Sequence, residues 1–179
     1  ESRDSNISPD WSVAAKEFER FYAIAGGRSV DGIIAVDTEL VKDLLEVIGE
    51  IKVSGYKTEF NKDNIVNELL GYANVVFAGQ PGRKGFLGDV MNTIFLNILQ
   101  SPKEKLFPIG EVLVKSLNEK HVLLYFHDTK AQSAAESFNW AGRVKDYNDD
   151  YLLIVDSNFA GGKSNLFIKE EVTQKIKTA

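Results

Sequence analysis

The sequence contains no cysteine, which excludes disulfides, thiolate metal sites and a cysteine nucleophile. It also lacks any apolar run near the roughly 20 residues that a membrane helix requires, so no membrane contact is expected from this segment itself. Residues 1–10 hold neither a basic region nor an apolar signal core, which places any anchor outside this chain. Positive charge is in deficit: 21 Lys and Arg stand against 26 Asp and Glu, a formal net charge of -5. That balance argues against a nucleic-acid partner, because such binding draws most of its affinity from cations that neutralise phosphates.

What is present is ordinary for a folded domain. Hydrophobic residues make up 44% of the 179 and charged residues 26%, so the chain has the means to bury one sizeable core. A single α/β domain over residues 1–179 is the expectation.

Periodicity supplies the elements. After Ser8, Pro9 and Asp10, apolar residues at Ala14, Phe18, Phe21, Tyr22 and Ala25 mark a first amphipathic helix that Gly26 and Gly27 end. Gly32, Ile33, Ile34, Ala35 and Val36 form a continuous apolar run, the pattern of a strand covered on both faces. Asp37 or Thr38 then caps a helix carrying Leu40, Val41, Leu44, Leu45 and Ile48, with Gly49 where a left-handed residue is wanted. A short strand is expected near Ile51 and Val53. The next helix starts at Asn61 or Asp63, places Ile65, Val66, Leu69, Leu70 and Ala73 inward, and breaks at Gln80, Pro81 and Gly82.

The strongest helical signal is the paired series Phe86, Leu87, Val90, Met91, Ile94, Phe95, Ile98 and Leu99. Ser101 and Glu104 have capping-box spacing before another helix through Leu106, Ile109, Leu113 and Leu117, which Pro108 is expected to kink or restart. Two further apolar runs, 122–126 and 151–155, read as buried strands on either side of a small-residue helix around Ala131, Ala134, Ala135 and Phe138, and a last strand is expected over 165–172. Helices interleaved with continuous apolar strands predict a mixed, partly parallel central sheet with helices on both faces.

Motifs of chemistry are sparse. Gly161, Gly162, Lys163 and Ser164 end like a phosphate-binding P-loop, but the first glycine position is Ser157, and Asn165, Leu166, Phe167 and Ile168 read as strand where the motif needs a helix. His121 and His127 bracket a strand without a HExxH pattern or a carboxylate-rich ligand set, and are read as structural or surface groups. No G-x-S-x-G is present. Asp31 and Asp37, or Asp146, Asp149 and Asp150, have the chemistry to pair or to hold a cation, yet acidic residues at strand ends and in loops are commonly caps and solvated turns. Arg83 and Lys84, between Gly82 and Gly85 and just before a helix, have the chemistry to hold a phosphate at a helix start, yet two cations beside glycines more commonly just flank a turn. Trp11 and Trp140 are expected as core or edge anchors.

Several stretches taken in order carry a resemblance: residues 3–10, 30–37, Leu44 and Leu45 through Gly49 and Val53, then 64–66 and 83–87, then Asp156, Ser157 and Asn158 with 161–165. Together they resemble the domain of unknown function family 4012 of bacterial cell-surface proteins, which is similar in outline to LytR-CpsA-Psr proteins. The resemblance implies an extracytoplasmic domain, here the C-terminal part of a longer region anchored in the membrane through a segment absent from this chain. It implies a binding or assembly role with an envelope component such as a glycopolymer or lipid-linked precursor, and no established activity, catalytic residue, metal ligand or cofactor.

The alternative it implies is a phosphotransferase acting on polyprenyl-pyrophosphate-linked glycopolymers, with a divalent cation such as magnesium. In that reading Arg3, Asp4, Arg83 and Lys84 are the candidate pyrophosphate-binding set, and Asp31, Asn158, Lys163 and Asn165 a candidate loop set. Guanidinium groups suit pyrophosphate because they pair bidentately with its oxygens. Lys84 stands where those enzymes offer a further arginine, and lysine does not reproduce that fork.

Overall fold

The computed structural model of the chain describes residues 5, 7–74, 83–148, 151–155, 169 and 171–175, with the side chains of 72–74 and 83–84 outside that description. The order of elements is α1 (Trp11–Ile24), β1 (Gly32–Val36), α2 (Thr38–Ile48), β2 (Ile51–Lys52), β3 (Glu59–Phe60), α3 (Ile65–Asn74), α4 (Arg83–Leu99), α5 (Lys103–Asn118), β4 (Val122–Phe126) and α6 (Thr129–Ser137). The fold is mixed α/β, with six helices and two short sheets among the described residues.

Local chemistry explains most boundaries. Asp10 starts α1 by accepting from the amides of Ser12 and Val13, and Asp37 starts α2 by accepting from Glu39 and Leu40. Each satisfies amides that the first helical turn would otherwise leave unpaired. Gly49 ends α2 at φ 94°, a conformation that a Cβ disfavours. Asn61 takes the amides of Asp63 and Asn64 on its side-chain oxygen, while the Asn64 side chain accepts from the Asn61 amide at 2.9 Å. Asp128 caps α6 through the Ala131 amide at 2.8 Å.

The expected capping box at Ser101 and Glu104 is not formed. Pro102 is the N-cap of α5 and supplies no side-chain acceptor, while the Ser101 hydroxyl donates to the Asn97 carbonyl of the preceding helix at 2.8 Å. Pro108, expected to kink or restart α5, lies within one continuous helix.

The core is built by α2 and α5 lying along each other, closed by α4 and the β2–β3 hairpin. Leu40, Val41, Leu44 and Leu45 of α2 meet Ile109 of α5, Val122 of β4, and Phe86, Val90 and Ile94 of α4. Phe60 is fully buried, its ring centroid 5.4 Å from that of Phe86, with Tyr56 4.7 Å from Phe86. Only one column of the α4 series is buried; Leu87, Phe95 and Leu99 face outward.

The central sheet corrects the expectation of partly parallel strands. Among the described residues both sheets are antiparallel pairs, β1 with β4 and β2 with β3. The reason lies in how α2 and α5 are tied together. The Lys105 ammonium, at the start of α5, donates to the Ile48 carbonyl at the end of α2 at 3.0 Å, and Lys115 further along pairs with Asp43 at 2.9 Å. Thus α5 runs back along α2 and returns the chain to the Val36 end of β1, where the Asp37 amide donates to the His121 carbonyl at 3.1 Å. A parallel neighbour would have to enter at the other end.

Helices lie on both faces of this pair. Val122 and Leu124 of β4 belong to the α2–α5 side. Leu123 points to the other side, where α1 packs: a Cβ on Gly142 would meet Trp11 Cβ at 2.9 Å and Leu123 Cδ2 at 3.0 Å. The cover over β1 is incomplete, because Ile34 is 59% exposed and Val36 44%. The expected buried strand at 151–155 is not one: Tyr151, Leu152, Leu153, Ile154 and Val155 adopt no regular element and are all exposed. Of the strand expected over 165–172, residues 165–168 and 170 lie outside the described residues, and Val172 is exposed without regular structure.

Candidate functional site

Helix α1 carries a groove on each flank. Its buried residues, Ser12, Ala14 and Ala15, are small and bring it close to the body of the fold. That orientation leaves Val13, Lys16, Glu17 and Arg20 facing Ser5, Ile7 and Ser8 across an open groove of ≈ 650 Å³. The Arg20 guanidinium donates to both Glu17 oxygens, at 2.5 and 3.0 Å, and its central carbon lies 4.4 Å from the centroid of the Phe21 ring. This bidentate bond holds the Glu17 carboxyl below its ordinary pKa and raises that of Arg20. Lys16 makes no ion pair among the described residues, so the groove offers one uncommitted cation and one shared with Glu17, beside the apolar Ile7 and Val13.

The second groove, ≈ 240 Å³, lies between α1 and β1 and is lined by Phe18, Glu19, Tyr22, Val30, Gly32, Ile33 and Ile34. Phe18 and Tyr22, one turn apart, stack with centroids 6.3 Å apart and planes 11° from parallel. The periodicity of α1 assigned both rings to its core-facing stripe. Here they are half-exposed and form a groove wall, because Ala14 and Ala15 hold the helix against the sheet instead.

Both histidines sit at the ends of β4, each paired with a carboxylate from another element. His121 Nδ1 lies 2.7 Å from Asp37 Oδ2, and its Nε2 lies 3.7 Å from Glu119. The bond to Asp37 raises the His121 pKa above its ordinary value, the neighbouring carboxylates adding to the effect and desolvation opposing it. Asp37 therefore acts twice: Oδ1 caps α2 and Oδ2 holds His121. His127 Nε2 lies 2.9 Å from Glu19 Oε2, which ties β4 to α1. Each pair joins an end of β4 to another part of the chain.

Of the eight candidates for the pyrophosphate and loop sets, only Asp31 is described with its side chain. Arg3, Asp4, Asn158, Lys163 and Asn165 lie outside the described residues, as do Asp149 and Asp150. Arg83 and Lys84 begin α4, with side chains outside the description. Asp31 is exposed just before β1, and its carbonyl accepts from the His127 amide at 2.9 Å. Trp140 is an edge anchor, its indole nitrogen donating to Asn118 at 2.9 Å and its ring stacked on Phe138. Among the described residues no three His, Asp or Glu side chains are grouped to hold a metal ion, and no helix is long and apolar enough to cross a membrane. The residues that sequence reasoning missed are Lys16 and Arg20. Their signal was available, since two cations four apart on a predicted helix share a face.

Residues 1–73 match the model of a family described as "Protein of unknown function (DUF4012)". Over that stretch, which holds both α1 grooves, the chain is similar to the family. No curated protein and no solved structure matches the chain.

Proposed function

We propose that this chain is a binding domain of the bacterial cell envelope, working outside the cytoplasm behind a membrane anchor that lies outside this sequence. Its ligand is an envelope precursor that carries a phosphate next to an apolar chain, the chemistry of a lipid-linked glycopolymer. The observation that carries this reading is the mixed lining of the larger groove, where Lys16 and Arg20 stand beside Ile7 and Val13. An ammonium suits a phosphate as a point charge, and a guanidinium shared with Glu17 can exchange that carboxylate for phosphate oxygens. The apolar residues give the adjoining lipid a surface on which to shed water. The resemblance to cell-surface domains read from the sequence supports the location, and the larger groove lies within residues 1–73, the stretch that matches the family model.

The test is a thermal-shift titration of the full chain with a short-chain polyprenyl phosphate in detergent micelles, against the matching polyprenol without phosphate. Saturating ligand, at about 100 times Kd, is expected to add about 2.7 kcal/mol to stability. Lys16→Ala should weaken binding severalfold. Equal shifts with phosphate and alcohol, or a titration that Lys16→Ala leaves unchanged, would refute the proposal.

A further inference from the structure

The two edges of the β1–β4 pair differ in a way that points to an occupant for one of them. The Asp37 amide donates to the His121 carbonyl and the His127 amide to the Asp31 carbonyl, so Asp31 and Asp37 lie at bonded positions of the ladder. Because an antiparallel ladder alternates, Ile33 and Ala35 also face β4, whereas Gly32, Ile34 and Val36 direct their N–H and C=O groups to the outer edge. On β4 the equivalent outward groups are Val122, Leu124 and Phe126. That edge is covered: the Leu124 amide donates to the Trp140 carbonyl at 3.0 Å, and the Phe126 amide to the Gln132 side chain at 2.9 Å. The β1 edge has no such partner among the described residues.

This open edge is apolar on both faces. Ile33 opens into the groove walled by Phe18 and Tyr22, whose rim Ile34 also lines, while strand alternation turns the side chains of the exposed Ile34 and Val36 to the opposite face. A strand added here would lie beside apolar β1 side chains on both faces, Ile33 on one and Ile34 and Val36 on the other, and therefore suits apolar residues at successive positions rather than at alternate ones. Tyr151, Leu152, Leu153, Ile154 and Val155 have that composition and match the five residues of β1, yet they stand 46–59% exposed.

The chain is long enough to join the two. It leaves the body beside the start of α1, where the Gly142 carbonyl accepts from the Trp11 amide at 2.9 Å and the Val144 amide donates to the Asp10 carboxylate at 3.3 Å. From Val144 to Tyr151 an extended chain reaches about 23 Å, at roughly 3.3 Å per residue. Along α1, Phe18 and Tyr22 lie only about 12 to 18 Å from Asp10, at 1.5 Å per residue. So short a tether also keeps the segment at millimolar effective concentration, which favours it over the same segment of a second molecule.

The geometry points to the outer edge of β1 as the docking site for the 151–155 segment of the same chain, which pairs there as a third strand and covers the Phe18–Tyr22 groove. The experiment is residue-resolved amide hydrogen exchange by NMR on the full chain and on Leu153→Pro, with the mass in solution measured alongside. Ile33 and Ala35, bonded to β4, report whether the sheet itself is intact in each protein. The expected result is a monomer in which the Ile34 and Val36 amides exchange at least about tenfold more slowly than in Leu153→Pro, while Ile33 and Ala35 are unchanged. Fast exchange at Ile34 and Val36 in the unaltered chain would overturn the proposal, as would protection that survives Leu153→Pro. Protection that rises with concentration together with a dimer would assign the edge to a second copy, and would overturn it too.

Discussion

β4 and the 151–155 segment are five-residue runs of nearly the same composition, Val-Leu-Leu-Tyr-Phe against Tyr-Leu-Leu-Ile-Val. β4 is a strand with Val122 and Tyr125 buried, and the later run is exposed throughout and irregular. Hydrophobicity is common to both, so it is not what makes β4 a strand. β4 is held by helix packing on both faces, by the β1 ladder, by His121 and His127 at its ends, and by Gln132 and Trp140 along its outer edge. A strand owes its stability to cross-strand and face contacts more than to an intrinsic preference of its backbone.

Removing these holds one at a time should move β4 toward the condition of the later run. The largest effect is expected from Val122→Asp, which places a carboxylate among Leu40, Leu44 and Ile109 without a partner; denaturant unfolding should show a loss above about 3 kcal/mol. Asp37→Ala removes the α2 cap and the His121 contact together, and a loss of about 1–2 kcal/mol is expected in the same assay. Gln132→Ala leaves the half-buried Phe126 amide without its acceptor. It should cost about 1 kcal/mol and speed exchange at that amide while Leu124, bonded to Trp140, is little affected.

The smallest effect is a pH dependence. His121 is bound more tightly when protonated, so its folded pKa lies above the unfolded value of about 6.5. The stabilisation is then complete below about pH 6.5 and fades as pH rises through the higher folded value. In Asp37→Asn the His121 titration followed by NMR should fall back toward 6.5. The stability gap from the parent chain should narrow on going from pH 5 to pH 8 by less than about 1 kcal/mol, the usual worth of an ion pair open to water. A gap that widened would assign the contact to neutral imidazole instead.

Much of the framework was legible along the chain. Asp37 before Leu40, Val41, Leu44 and Leu45, with Gly49 after them, describes α2 completely, because a cap, an apolar stripe and a left-handed residue are all local requirements. The positions of β1 and β4 followed from their apolar runs. Their orientation did not, since a continuous apolar strand signals burial on two faces and says nothing about the direction of its neighbour. The grooves were less legible still: Phe18 and Tyr22 fit a core stripe by spacing, and only the close seat of Ala14 and Ala15 turns them outward.

By itself the sequence determined the caps of α1 and α2, which runs are apolar enough to form strands, and a formal net charge of -5, since these depend on neighbours a few residues apart or on composition alone. The tertiary structure decided that β1 and β4 pair antiparallel, that one edge of the pair is covered and the other open, and that Lys16 and Arg20 flank a groove rather than a featureless helix face. Those outcomes depend on contacts such as Lys105 with Ile48 and Asp37 with His121, which join residues 57 and 84 positions apart. Such contacts exist only once the chain has come together, so no local pattern can encode them in advance.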